Sequence, residues 1–452
     1  MFVVGSVSAT AVNPTAAAID RTVEYGSAVR RTIDRMRVVI AGGGIGGLTA
    51  AMALHARGIA VQVYETVPEL QPLGVGINVL PHAMAQLHRL DLLDVVLPLG
   101  VATAELCFFN RHGQLIWREP RGVAAGYPVP QLSVHRGVFH MALLDEARRR
   151  LGEDAIRTGH ALQSFTDDGR RVRLQLLDRR SDAVVVDEAD VLVGADGIHS
   201  TVRSIVHPGE GLPRWSGNVL WRAVTRWEPF LTGRSMFMAG HRPHKFVAYP
   251  LTEVGDDRKV TVNWIAELDR TEVGLAGRED WNRRGDLADF LPRFQDWVFE
   301  WLDIPSMCRA ADGSFEFPMV DRDPLPQWTH GRVTLLGDAA HPMYPIGSNG
   351  ASQAIIDALT LADELSGGTD VGAALRRYDD DRRPKTAQIV LSNRQHGPER
   401  VLDLAEERAP GGFADIADVF EPGELQGIAA AYRQTAGFDL RSVEVRVHPD
   451  RA

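Results

Sequence analysis

Apolar residues gather abruptly at Met36, where Val38, Val39, Ile40 and Ala41 form an uninterrupted run ending in glycines, the pattern of a short strand buried on both faces. A helical pattern follows from Ile45 to Arg57 with Gly58 as its stop, and a second strand pattern from Ala60 to Tyr64 completes one strand–helix–strand unit. Two later apolar runs, Asp190 to Gly194 and Arg332 to Gly337, read as further parallel strands, each leading into an aspartate, Asp196 or Asp338. Ligands of such sheets sit at the carboxyl ends of the strands. Between them, Ser204 to Pro326 is richer in Trp and Phe, and alternation at Met236 to Met238 and Val260 to Ile265 predicts an antiparallel sheet. Helical character returns at Ala351 to Leu365 and Val371 to Asp381. Beyond Ser392 the chain is rich in Ala and Glu, broken at Pro410-Gly411-Gly412. No internal repeat is evident.

Length and composition narrow this picture. The 452 residues exceed one simple core, and 44% hydrophobic with 24% charged residues is an ordinary globular balance. A net charge of −10 disfavours nucleic acid and anionic lipid as partners. The two cysteines, Cys107 and Cys308, stand too far apart for a local metal or redox motif and are expected as buried thiols; no metal site is expected. No run approaches the length of a membrane span, and Met1 to Ala18 lacks the basic start of a secretory signal, so a cytoplasmic location is expected. Residues 1–35 read as a disordered extension, with Met36 a candidate true start.

The glycine turn carries the first chemical signal. Gly42, Gly44 and Gly47, within Gly42-Gly43-Gly44-Ile45-Gly46-Gly47, fit the dinucleotide fingerprint and lie between strand and helix as the physics requires. Gly42 permits the tight turn, Gly44 lets a pyrophosphate approach, and Gly47 allows close helix packing at a helix N-terminus that favours anions. Glu65 ends the second strand at the spacing of the acid that accepts from an adenosine ribose hydroxyl. A carboxylate there repels a 2′-phosphate, which suits FAD or NAD rather than NADP.

Two further motifs follow strands: Val193-Gly194-Ala195-Asp196-Gly197-Ile198-His199-Ser200-Thr201-Val202-Arg203, and Leu336-Gly337-Asp338-Ala339-Ala340-His341-Pro342-Met343-Tyr344-Pro345. Together with the glycine turn these resemble the three fingerprints of the class A FAD-dependent aromatic monooxygenases, the group containing para-hydroxybenzoate and salicylate hydroxylases, over Met36 to about Lys385. Within that group the resemblance runs furthest toward phenazine-modifying hydroxylases. It does so through Pro72-Leu73-Gly74-Val75-Gly76-Ile77-Asn78, Glu119-Pro120-Arg121-Gly122-Val123, Val247-Ala248-Tyr249-Pro250, Pro318-Met319-Val320-Asp321-Arg322-Asp323-Pro324-Leu325-Pro326 and Gly350-Ala351-Ser352-Gln353-Ala354-Ile355.

The resemblance implies an α/β fold: a Rossmann-like, glutathione-reductase-like FAD-binding domain (36–110, 130–205 and 327–390), interleaved with an antiparallel substrate layer (111–129 and 206–326) and followed by a helical segment (391–452). It implies non-covalent FAD, with NADH or NADPH as a transient co-substrate. The reaction implied is O2-dependent hydroxylation of an aromatic or N-heteroaromatic small molecule, phenazine- or salicylate-like and with or without a carboxyl group, through a flavin C4a-hydroperoxide. It leaves monomer or homodimer open. FAD would be held by Gly42, Gly44, Ile45, Gly46 and Gly47, by Glu65 at the adenosine ribose, Asp338 at the ribityl chain and Arg136 near the pyrophosphate. Val75 and Gly76 would lie beside the isoalloxazine, Leu162 would flank the adenine through its backbone, and Gly350 and Ala351 would offer helix amides to the flavin N1 and O2 edge. Asp196 is implied in both FAD and nicotinamide binding, although an aspartate there is also an ordinary helix cap. For the reaction itself the candidates are Pro345, Tyr249 and His341; for substrate, Trp221, Arg222, Tyr249 and Tyr344. His341 has an equally good reading as a packing or capping residue beside Asp338. The alternatives are a flavin-linked reductase or epoxidase acting on a non-aromatic substrate, and a non-catalytic flavin-binding protein.

Overall fold

A computed structural model describes residues 36–272, 283–368, 370–441 and 443; the expected N-terminal extension lies outside them. The βαβ unit forms where the pattern places it, as strand Arg37–Ala41, helix Ile45–His55 and strand Ala60–Glu65. These strands join a five-stranded parallel sheet in the order Val333–Leu335, Val191–Gly194, Arg37–Ala41, Ala60–Glu65, Ile156–Thr158. Val38 pairs with Val191 on one side and Val61 on the other, so this strand is central and its Val-Val-Ile run is buried on both faces. The carboxyl ends of the three strands from Val333, Val191 and Arg37 therefore lie side by side, which gathers Asp338, Asp196 and the glycine turn at one edge.

The second layer is an eight-stranded, mostly antiparallel sheet, ordered Arg284–Gly285, Ser314–Asp321, Arg214–Trp227, Val260–Asp269, His244–Pro250, Ser235–His241, Glu105–Phe109, Leu115–Pro120. One pair, Ser235–His241 with Glu105–Phe109, is parallel. Glu105–Phe109 belongs to this sheet, so the sequence boundary at residue 110 falls six residues late; its apolar run Leu106 to Phe109 resembles the parallel strands because both of its faces are buried. Period-two alternation divides the sheet. Trp221, Phe237, Phe246 and Trp264 pack into an aromatic core on one face, whereas Lys245, Val247, Tyr249 and Ile265 point from the other.

Helix Gly350–Ser366 lies against helix Ile45–His55, and helix Val371–Arg394 runs well past Asp381. Its middle, Arg376 to Lys385, is rich in Arg and Asp, yet Arg382, Thr386, Ile389, Val390 and Asn393 continue the buried stripe. After the break at Pro410–Gly412, helix Glu424–Ala436 returns to pack on it. Cys107 and Cys308 are buried and free, burial pushing the Cys107 thiol up to about 12. Among the described residues no helix is long and apolar enough to cross a membrane, and no cluster of three metal-ligating side chains occurs.

Candidate active site

The glycine turn owes its shape to close backbone contact. Gly42 has φ +112°, its N–H donates to Tyr64 O at 2.8 Å, and a Cβ there would lie 2.3 Å from Ala195 O. A Cβ on Gly47 would come within 2.0 Å of Gly42 O. Gly44, the residue preceding helix Ile45–His55, is different: a Cβ there meets nothing within 4 Å. The helix start carries no side-chain cap and no acid in its first turn, leaving its amides to an anion approaching across Gly44. Gly46 faces the other way, toward Leu336 at 2.7 Å and Ala354 at 3.2 Å, so it serves helix packing, and Ile45 packs at the edge of the core.

Glu65 closes one side of this turn. Its Oε2 accepts from Gly43 N at 2.7 Å and its Oε1 from Val67 N at 2.8 Å, fixing the carboxylate with lone pairs to spare for a diol. His140, absent from the sequence expectations, donates from Nε2 to Gly43 O at 2.6 Å; burial lowers its pKa, consistent with a neutral donor. It stands one helical turn after Arg136, a spacing that could have marked it.

Asp338 follows strand Val333–Leu335 in a short turn. Its side chain is exposed and makes no hydrogen bond to the described residues, as befits a group lining a cleft. Desolvation by the surrounding protein pushes its carboxyl pKa up, against the pull of His341 and Arg136. Asp338 Oδ1 lies 3.9 Å from where a Cβ on Gly350 would stand, beside the start of helix Gly350–Ser366, which also lacks a side-chain cap and a first-turn acid. A cleft carboxylate free to accept hydrogen bonds, an open glycine and two uncapped helix starts fit a ligand carrying hydroxyls, phosphates and an electron-accepting ring, as FAD does.

A second loop ties this cleft to the eight-stranded sheet. Arg136 N donates to Val75 O at 2.9 Å, and Gly76 is gripped from both sides, its N–H donating to Asn263 Oδ1 at 2.7 Å and its carbonyl accepting from Arg222 at 2.8 Å. A Cβ on Gly76 would lie 2.7 Å from Asn263 Cβ and 2.8 Å from the Tyr249 ring, so only glycine fits. Arg222 Nε and Asn263 Nδ2 are buried without a hydrogen-bond partner. Burial holds the Tyr249 phenol up at about 12, with Arg222 opposing, which makes it a hydrogen-bond donor and a poor base near neutral pH. Burial lowers the Arg222 pKa, and the guanidinium sits 5.9 Å over Phe317. Three donors thus converge beside Gly76 with unspent capacity and no carboxylate among them.

Other expected residues are engaged in different contacts. Trp221 cannot share a face with Arg222, its neighbour on one strand; it stacks on Phe290 in the opposite core, 5.5 Å between ring centres. His341 is buried and bonded through Nε2 to Asp357 at 2.5 Å, and Asp357 also takes Arg382 at 2.7 Å and Gly337 N at 3.1 Å. Burial opposes the Asp357 charge, yet His341 and Arg382 hold its carboxyl down at about 2. His341 therefore braces the turn that carries Asp338, as in its packing reading. Asp196 holds the start of helix Thr201–Val206, Oδ1 accepting from Ser200 Oγ at 2.5 Å and Oδ2 from Thr201 N at 2.7 Å. Leu162 pairs with Leu176 and buries its side chain in the core. Tyr344 packs with Leu220, Met319 and Ile346, and lines a cavity of about 230 Å³ shared with Lys245, Glu267 and Glu399, further along the sheet. Pro345 is exposed at the start of an irregular turn before Gly350.

Comparison with known proteins agrees with this geometry. Residues 35–272 and 319–393 match the family described as FAD binding domain. The phenazine 1,6-dicarboxylic acid hydroxylase PhzS of Lysobacter antibioticus is 44% identical over 408 residues, 89% of this chain and 97% of that protein. The 3-hydroxybenzoate 6-hydroxylase of Polaromonas naphthalenivorans is 31% identical, covering 84% of this chain and 94% of its own. Among solved structures, a salicylate hydroxylase substrate complex superposes with a TM-score of 0.69 at 22% identity, over 92% of this chain and 99% of that one, a likeness of fold.

Proposed function

This chain belongs to the FAD-binding family of aromatic monooxygenases, and from that premise we propose that it hydroxylates a flat aromatic or N-heteroaromatic acid of the phenazine type, with NADH or NADPH as reductant. The observation that carries the substrate class is the cluster of Arg222, Asn263 and Tyr249, three donor side chains gathered beside Gly76 with two buried donor nitrogens unpaired. A carboxylate or phenolate oxygen satisfies all three, and leaving them empty costs about 1–3 kcal/mol for each unpaired group. The 44% identity to a protein named for a phenazine dicarboxylic acid supports the ring class.

In this reading the Gly42 to Gly47 turn and Arg136 hold the FAD pyrophosphate, Glu65 the adenosine ribose and Asp338 the ribityl chain. Val75 and Gly76 border the ring through backbone. Bound FAD supplies the redox chemistry that activates O2. The amides of Gly350 and Ala351, at the start of a 17-residue helix, offer positive charge where a reduced flavin is negative. Arg222 and Asn263 orient the acid, and the apolar side chains Val247, Ile265 and Phe317 exclude water around the ring.

The test is NADH and NADPH consumption by the purified yellow protein against phenazine dicarboxylate, phenazine monocarboxylate, salicylate and 3-hydroxybenzoate, with product mass. A substrate that accelerates reductant oxidation and gains one oxygen atom supports the assignment. Stimulation only by non-aromatic compounds, or none by any aromatic acid, overturns the substrate class.

A further inference from the structure

The C-terminal helix Glu424–Ala436 reaches the irregular turn that precedes Gly350. Its Tyr432 is buried, and the hydroxyl accepts from Asn349 Nδ2 at 2.8 Å while facing Asn393 Oδ1 at 3.0 Å and Ile346 O at 3.3 Å as acceptors. The fit is close on two sides. A Cβ on Gly347 would lie 1.9 Å from that hydroxyl, and one on Gly397 would lie 2.7 Å from the ring. Gly347 and Ser348 both hold positive φ, +68° and +58°, a conformation that Ser348 adopts at a cost of about 1–2 kcal/mol and that its surroundings must impose.

The contact continues into the flavin side of the molecule. Asn349 also donates to Gly347 O, and Gln353, one turn into helix Gly350–Ser366, donates to the carbonyl of Ala436 at 3.2 Å. Gln353 Oε1 accepts from Arg382, which bonds Asp357, which bonds His341 and the Gly337 amide beside Asp338. One chain of hydrogen bonds thus joins the C-terminal helix to both loops assigned to the cofactor.

We propose that Tyr432 is a positioning residue: through its hydroxyl it fixes the Pro345 to Gly350 backbone, and so the amide edge offered to the flavin. The inference rests on the FAD-site reading above. Tyr432 touches no reacting atom. It acts by holding an otherwise strained turn in one conformation, so that the Gly350 and Ala351 amides are aligned before reduction instead of during it.

The experiment compares Tyr432→Phe with Tyr127→Phe in the full-length, FAD-loaded protein. Tyr127 donates its hydroxyl hydrogen to Phe438 O and so tethers the same C-terminal region without touching the turn. Three properties are read: the FAD dissociation constant, the midpoint potential of the bound flavin, and the fraction of oxidised reductant recovered as hydroxylated product. Tyr432→Phe is expected to weaken FAD by about three- to tenfold, for loss of one buried hydrogen-bond set, to make the potential more negative and to lower the coupled fraction. Tyr127→Phe is expected to lower thermal stability and leave potential and coupling unchanged. Unaltered potential and coupling in Tyr432→Phe overturn the proposal, as does an equal change in Tyr127→Phe. Should Tyr432→Phe not fold, Asn393→Ala, which removes an acceptor of the hydroxyl, carries the same expectations and the same refutation. A wild-type protein that binds no FAD would refute the site reading itself, an outcome distinct from either variant result.

Discussion

Replacing Gly44 by alanine separates holding a cofactor from holding the fold. The residue has φ −75° and ψ −178°, which any amino acid adopts, and its added methyl meets nothing within 4 Å. Two small effects on the apoprotein oppose each other. Alanine restricts the unfolded chain, a gain of about 0.4–1 kcal/mol, and it is a poorer residue than glycine before a helix, a loss of about the same size. Apoprotein stability is therefore expected to stay within about 1 kcal/mol of wild type. The methyl would instead occupy the space that a pyrophosphate must enter. Overpacking of that kind costs about 1–3 kcal/mol, equivalent to about a 5- to 150-fold weaker FAD affinity. Urea unfolding of the apoprotein gives the first quantity and fluorescence titration with FAD the second. Gly47→Ala is the counterpart: its Cβ would stand 2.0 Å from Gly42 O, so the apoprotein itself should lose stability. Undiminished FAD affinity in Gly44→Ala would refute the placement of the pyrophosphate over this residue. A loss of more than about 2 kcal/mol in the apoprotein would show that the open space is filled by protein.

Arg222→Gln should raise KM for aromatic carboxylates about 10- to 100-fold, from loss of a charged hydrogen bond, with uncharged analogues little affected; Trp221→Phe, on the opposite face, should leave KM unchanged, and steady-state kinetics on both variants decides. Asp357→Asn should cost about 3 kcal/mol or more in chemical denaturation, because Arg382 and His341 would be left buried without their shared anion; a loss under about 1 kcal/mol would contradict the bracing role. Burial, helped by Arg382, lowers the His82 pKa to about 3. The unfolded chain therefore takes up a proton below about pH 6.5 that the folded chain refuses. This contribution to stability is complete above that pH and is lost as pH falls from there toward 3, with a slope approaching about 1.4 kcal/mol per pH unit. In urea titrations between pH 6.5 and 4.5, His82→Gln should flatten that slope, and an identical slope in both proteins would rule the effect out.

The glycine turn was legible because it is local: strand, Gly42 to Gly47, helix and Glu65 lie within one stretch of chain, and each residue type answers a steric or electrostatic demand that its neighbours create. Asp338 was legible through its motif and the strand before it. Local pattern left two residues open between a chemical and a structural reading. His341 lies close to Asp338 in sequence but turns inward to Asp357, sixteen residues on, and Asp196 accepts from Ser200 and Thr201 at the start of helix Thr201–Val206. Asn263 carried no signal, being one polar residue in an alternating strand, and only pairing with Tyr249 brings it under Gly76.

By itself the sequence determined the parallel sheet and the dinucleotide turn, because buried strands, tight turns and helix starts are set by near neighbours, while the family of reaction was legible only through the resemblance of its three motifs. Which of two adjacent residues faces the substrate, as with Trp221 and Arg222, depends on which side of the strand meets the aromatic core. The tertiary structure alone decided that. It alone also brought Tyr432, from the far end of the chain, to the turn before Gly350, since hydrogen bonds across 83 residues leave no trace in local pattern.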